Sequence, residues 1–171
     1  MNKLMTQYEN EIRELLKRYP ATGKRSTVMP LLFLAQRKLG YISEETLADI
    51  AEISETSVTD VAAVMGFYTL FHAEKGGRYR IQVCTDLPCA LRGSEIYFKE
   101  LSEKLGIKDG ETTSDGLFTL EAVKCLAACH RSPIFQLQGD GEIVYYEDQN
   151  VELTMQLVEE IRRKASAEKE A

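Results

Sequence analysis

No apolar run in this 171-residue chain reaches the roughly 18 residues that a membrane span requires. The opening Met1-Asn2-Lys3-Leu4-Met5-Thr6 stretch also lacks the apolar segment of a secretory signal. The expectation is a cytoplasmic protein with no direct membrane insertion. Basic residues are in deficit: 21 Lys and Arg against 27 Asp and Glu give a net charge of -6. That argues against a nucleic-acid-binding surface and favours solubility or a basic protein partner. No Gly-x-Gly-x-x-Gly or Walker pattern offers a nucleotide site, and no motif arranges Ser, His and carboxylate for hydrolysis. Histidine is limited to His72 and His130, and cysteine to four residues. What is present is a 44% apolar content, enough to bury the core of one ordinary domain or of two small ones.

The pattern changes character once along the chain. Leu4, Tyr8, Ile12, Leu15, Leu16 and Tyr19 recur at helical spacing, which predicts one amphipathic helix closed by Pro20. A second helix is predicted from Pro30 to Leu39, ended by Gly40. Ser43 caps a third, with Glu44 and Glu45 complementing its dipole and Leu47, Ile50 and Ala51 inside. Ser57-Val58-Thr59-Asp60 resembles a capping box opening a fourth, with Val61, Val64, Met65 and Tyr68 on one face. After Gly76-Gly77, a turn or hinge, the period shortens to that of strands. Tyr79 to Val83 runs into Cys84, and Leu117 to Val123 runs toward Cys125, with a helix bearing Ile96, Tyr97, Leu101 and Leu105 between them. Ile134 to Gln138 and Glu142 to Tyr146 flank Asp140-Gly141 as a hairpin. A last helix covers about 151 to 165, with Leu153, Leu157, Val158 and Ile161 inside, before a frayed tail. The order β-α-β-β-β-α predicts a small α+β sheet domain at 76–171 behind a helical domain at 1–75.

The four cysteines form two pairs, Cys84-Thr-Asp-Leu-Pro-Cys89 and Cys125-Leu-Ala-Ala-Cys129, with 35 residues between them. Each pair follows a predicted strand and adjoins a turn-forming residue, Pro88 or Pro133. Cysteines buried merely as small hydrophobes have no reason to pair so closely, and in a reducing compartment disulfides are disfavoured. A thioredoxin-type dithiol needs Cys-x-x-Cys, which is missing. Four thiolates suit a structural zinc, but spacers of four and three residues lie at the loose end of its range. They better suit sulfurs gripping a larger object from different sides, such as a two-iron, two-sulfide cluster. The plant-type and four-iron cysteine spacings do not fit. Rieske-type ligation would need two histidines on one iron, so His130 is read as solvated or hydrogen-bonded.

These pairs sit in Val83-Cys84-Thr-Asp-Leu-Pro-Cys89-Ala-Leu-Arg-Gly-Ser94 and Val123-Lys-Cys125-Leu-Ala-Ala-Cys129, with Gly66-Phe67-Tyr68 and Tyr145-Tyr146-Glu147 as secondary marks. Over nearly its whole length the chain resembles the E subunits of bacterial NADH:quinone oxidoreductase (complex I), similar to the mitochondrial 24-kilodalton-type subunits. The resemblance implies a thioredoxin-like [2Fe-2S] ferredoxin domain behind a helical N-terminal bundle. It further implies one [2Fe-2S] cluster on Cys84, Cys89, Cys125 and Cys129, exchanging single electrons with a partner. That partner would be the F subunit, a flavoprotein carrying both FMN and NADH sites, alongside other peripheral-arm subunits. The chain would then be an oxidoreductase only as a subunit, with no catalytic residues of its own, and it would sit peripheral to the inner membrane through the complex. The same module occurs in soluble NAD-reducing hydrogenases and NAD-dependent formate dehydrogenases, and a zinc-stabilised interaction domain is the remaining alternative. Two departures stand out: Ala127, where the family often has glycine, and His130-Arg131-Ser132, where smaller residues are common.

An oxidised cluster with four thiolates carries a charge of about -2 and gains one more on reduction. Asp86 would therefore lower its potential, while Arg92, Lys124 and Arg131 would raise it on close approach. Backbone amides of residues 85–88 and 126–128, and the start of the helix near Gly93, are candidate donors to sulfur. Leu87, Leu91 and Leu126 are read either as a shield against water or as ordinary core. The helical first 73 residues exceed what a small ferredoxin needs, which suggests that they dock the flavoprotein.

Overall fold

The computed structural model describes residues 2–170, which form two compact units dividing between Lys75 and Gly76. The first unit contains helices α1 (Lys3–Gln7), α2 (Glu9–Leu16), α3 (Val28–Leu39), α4 (Glu44–Ile53) and α5 (Val58–Phe67). The single N-terminal helix expected from periodicity is broken. Tyr8 leaves the helical region at φ -126°, ψ 37°, and a 3-10 segment, Ala21–Thr27, follows Pro20. Asn2 accounts for the short first helix. Its side chain accepts from the Met5 amide at 2.8 Å and donates to the Asp49 carbonyl at 2.9 Å, while the Leu4 amide donates to the Asp49 carboxylate at 2.8 Å. The first turn is thus pinned to α4. The apolar stripe still works across the break, since Leu4 and Ile12 are both buried with Leu31, Leu32, Ile50 and Val61.

Caps are where local chemistry predicts them. Ser43 accepts from the Thr46 amide and Ser57 from the Asp60 amide, satisfying helix-end donors that have no intrahelical partner. Gly40 ends α3 at φ +82°, donating to the Gln36 carbonyl at 2.7 Å, a backbone region that glycine enters without a Cβ penalty.

The second unit runs β1 (Tyr79–Cys84), α6 (Leu87–Ala90), α7 (Ser94–Leu105), β2 (Phe118–Val123), β3 (Phe135–Gly139), β4 (Glu142–Tyr146) and α8 (Val151–Glu170). Its sheet has the order β2-β1-β3-β4. β1 and β2 are parallel, and β3 lies antiparallel to both β1 and β4. Alternation sends Ile81, Val83, Phe118, Leu120, Phe135 and Leu137 to one face, where Tyr97, Leu101 and Leu105 of α7 and Val158 of α8 cover them. Each fully buried side chain of this size contributes roughly 1.5–3 kcal/mol. The opposite strand positions carry polar groups: Gln136 donates to Gln82, and Gln82 to Glu121 at 2.7 Å.

Asp140 and Gly141 both have positive φ, +51° and +81°, the geometry of the tight hairpin turn that Asp-Gly favours. Gly76-Gly77 serves close approach. A Cβ on Gly77 would meet the Leu117 carbonyl oxygen at 2.7 Å, and its amide donates to Thr119 Oγ1 at 2.7 Å. Two helical faces differ from their expected form. Ile96 and Leu153 are exposed; α8 keeps Leu157, Val158 and Ile161 against the core as expected and adds buried Thr154 and Ala165. α8 also continues to Glu170 rather than fraying after Ala165, because Glu168 pairs with Arg78 at 2.6 Å and Lys164 with Glu160 at 2.7 Å.

Candidate metal centre

Parallel pairing of β1 with β2 sets Cys84 opposite Val123, so both thiol-bearing loops leave the sheet at the same end. Cys84 closes β1 and is fully buried; Cys89, inside the short helix α6, is 1% exposed. Pro88 occupies an early position of α6, where its missing N-H is not needed. Cys84, Cys89 and Ile134 form a small buried cluster, with Leu126, Ala128 and Cys129 packed against it. Cys84 and Cys89 are thus buried together with Cys129 packed against them, while Cys125 is exposed at the start of the second loop.

Burial raises the Cys89 thiol to about 11, with the Ser132 hydroxyl opposing and the Cys84 and Cys129 thiols adding to the rise. A thiolate in this pocket needs positive charge from outside the protein, which metal ions supply. The loop is also rich in free donors. Among the described residues, the amides of Cys125, Leu126, Ala127, Ala128 and Cys129 donate to no protein acceptor. Ser94 Oγ, at the start of α7, is buried without a hydrogen-bond partner. Soft thiols and unspent amides suit a bulky anionic group with sulfur acceptors. Among the described residues, no three His, Cys, Asp or Glu side chains gather closely enough to hold one metal ion.

The profile of the thioredoxin-like [2Fe-2S] ferredoxin family matches residues 12–162. The chain belongs to that family. Relatives of this ferredoxin include the E subunit of the NADH-quinone oxidoreductase of Rickettsia felis, 40% identical over 88% of the chain and 89% of the relative. Subunit 2 of the NADH-quinone oxidoreductase of Thermus thermophilus is 39% identical over 75% of the chain and 71% of the relative. The fold also resembles part of an NAD+-reducing [NiFe]-hydrogenase in its H2-reduced state, at a TM-score of 0.62 and 18% identity. That likeness covers 78% of the ferredoxin and 22% of the hydrogenase chain.

The ferredoxin's charges fall differently from their sequence order. Arg131 is held between Glu147 at 3.0 Å and Asp148 at 2.9 Å, so its charge is largely offset locally. Arg92 donates to the Ser132 carbonyl at 3.3 Å. Lys124 is exposed, and Asp86 caps α6 without a side-chain bond. His130 is exposed beside Cys129, whereas His72 belongs to the helical unit, where its carbonyl accepts from Ile42.

Ala127 has φ +61°, the left-handed region in which a Cβ costs roughly 1–2 kcal/mol. Of the three leucines, only Leu126 packs against the thiols. Leu87 and Leu91 are 70% and 80% exposed and belong to no core, and Ile96 of α7 is 66% exposed. Sequence reasoning missed this patch because periodicity marks apolar residues without showing what covers them. It also assigned no role to Ser132, for which no sequence signal exists, or to Ser94.

Proposed function

We propose that the chain is the electron-transfer subunit of an NADH:quinone oxidoreductase, with Cys84, Cys89, Cys125 and Cys129 as ligands of one [2Fe-2S] cluster. The observation that carries this reading is the exit of both thiol pairs from adjacent parallel strands at one end of the sheet, in a family named for the cluster. The cluster, when bound, supplies reversible one-electron transfer. The residues around it exclude water with Ile134 and Leu126 and offer amide and hydroxyl donors to sulfur. The relatives' names favour the quinone-linked enzyme over a hydrogenase, whose likeness is one of fold.

The partner in this reading is a flavoprotein that carries FMN and NADH. Leu87, Leu91 and Ile96 form its docking face on the ferredoxin domain, since large exposed aliphatic groups beside a redox centre are costly unless an interface covers them. The helical domain adds a second contact at its aromatic run. Phe67 is 80% exposed and stacks edge-on against Tyr68 at 5.1 Å.

Anaerobic purification tests the assignment. About two irons and two acid-labile sulfides per chain are expected, with a half-integer-spin EPR signal on reduction. One zinc and no sulfide would reject it. Co-purification of a flavin-containing partner tests the context, and loss of that partner in Phe67→Ser tests the helical contact.

A further inference from the structure

Residues 131–133 fasten three segments of the ferredoxin domain together. On one side the Arg131 guanidinium bridges Glu147 and Asp148 beyond β4. Backbone bonds repeat the link: the Asp148 amide donates to the Arg131 carbonyl at 2.7 Å and the Gln149 amide to the Pro133 carbonyl at 2.8 Å. On the other side Arg92 donates to the Ser132 carbonyl at 3.3 and 3.4 Å. The buried Ser132 hydroxyl donates to the Cys89 carbonyl at 3.4 Å. The segment that begins two residues after Cys129 is therefore tied both to the first thiol helix and to the end of the hairpin.

We propose that Arg131 and Ser132 are positioning residues that lock the Cys125–Cys129 loop against the Cys84–Cys89 loop and so retain the cluster. The inference rests on the reading of the four thiols as ligands. The loop does not fix itself, because its amides lack protein partners among the described residues and Ala127 sits in the left-handed region. Its order comes from its two ends. At the start the Thr85 amide donates to the Val123 carbonyl at 2.9 Å; at the finish stands the Arg131–Ser132 hub.

The measurement is the half-life of visible absorbance of the anaerobic holoprotein in excess ferrous chelator. Two half-exposed ion pairs on one guanidinium predict that Arg131→Ala loses the cluster about threefold to tenfold faster. Arg131→Lys is intermediate. Salt shortens the half-life of the unaltered protein but not of Arg131→Ala, because screening removes only the pairs that exist. Ser132→Ala also shortens it, and Ser132→Thr restores it. Lys38→Ala, which removes an ion pair of the helical unit, leaves it unchanged. In the apoprotein, hydrogen exchange at the Asp148 amide quickens in Arg131→Ala. Unchanged exchange overturns the lock, and quickened exchange with an unchanged cluster half-life overturns its role in retention. An unaltered protein that binds no iron or sulfide sinks the ligand assignment itself and this inference with it, an outcome distinct from the other two.

Discussion

Replacing Leu87 and Leu91 together by serine separates an interface role from a folding role. Both side chains are largely in water, 70% and 80% exposed, so the folded chain loses little when they go. A surface change of this kind alters stability by about 0.5 kcal/mol or less. The backbone bond from the Leu91 amide to the Leu87 carbonyl, 3.0 Å, needs neither side chain. Binding is another matter. Full burial of a leucine contributes roughly 1.5–3 kcal/mol, and most of that area is still available for a partner to cover. The pair should therefore supply about 2–5 kcal/mol of gross docking energy. Ordering at the interface consumes part of this. Taking the lower end, the double variant should bind the proposed flavoprotein partner about 30-fold more weakly, with an unchanged thermal midpoint and iron content. Titration calorimetry with the purified partner, beside thermal unfolding of each chain, measures both quantities. Unaltered affinity refutes the patch as a docking face, and a thermal midpoint lowered by several degrees refutes its exposed geometry.

Burial separates the cysteines. Cys84→Ser places a hydroxyl in an apolar pocket and should destabilise the apoprotein by about 1–3 kcal/mol, whereas exposed Cys125→Ser should leave apo stability unchanged; denaturant titration distinguishes them, and both should lower iron content. Ala127→Gly should stabilise the second loop by about 1 kcal/mol, by removing a Cβ at positive φ, and a shorter-lived cluster in that variant would contradict the loop geometry. Gly77→Ala should destabilise by about 1–3 kcal/mol, because its methyl would meet backbone atoms of Leu117 and Phe118 at 2.7–2.8 Å; urea unfolding checks it. The Asp140 carboxyl is held below the usual carboxylate range, first by its hydrogen bond from Arg78 against the effect of burial, then by Tyr79. Its folded value lies below its unfolded one, so its stabilisation is complete above the unfolded value of about 3.9 and fades as pH falls through the folded value. Asp140→Asn should therefore melt lower than the unaltered protein at neutral pH, with the gap closing below about pH 4. A constant gap would show that charge is not the cause.

The parts of the fold that were legible in advance are those whose causes lie within a few residues. Ser43 and Ser57 cap helices because their hydroxyls reach amides three positions away. Asp140-Gly141 turns because both residues tolerate positive φ. The paired thiols follow strands because alternation simply stops at Cys84 and at Val123. Errors clustered where distant groups intervene. Asp49 pins the first turn of the N-terminal helix and so separates it from the second. Arg78 holds Glu168 and with it the final turns of α8. Ile96 and Leu153 fit helical stripes by spacing, yet packing left them outside.

The same division runs through the metal centre. Which residues bear the thiols and how they are spaced are covalent properties of the chain, readable in order. Whether Arg131 faces the sulfurs or is neutralised by Glu147 and Asp148, and whether Leu87 is core or surface, depends on what the rest of the chain brings alongside. Tertiary structure alone decided these points, because electrostatic and apolar energies are set by neighbours in space, and residues 16 positions apart in sequence become neighbours only after the sheet has formed.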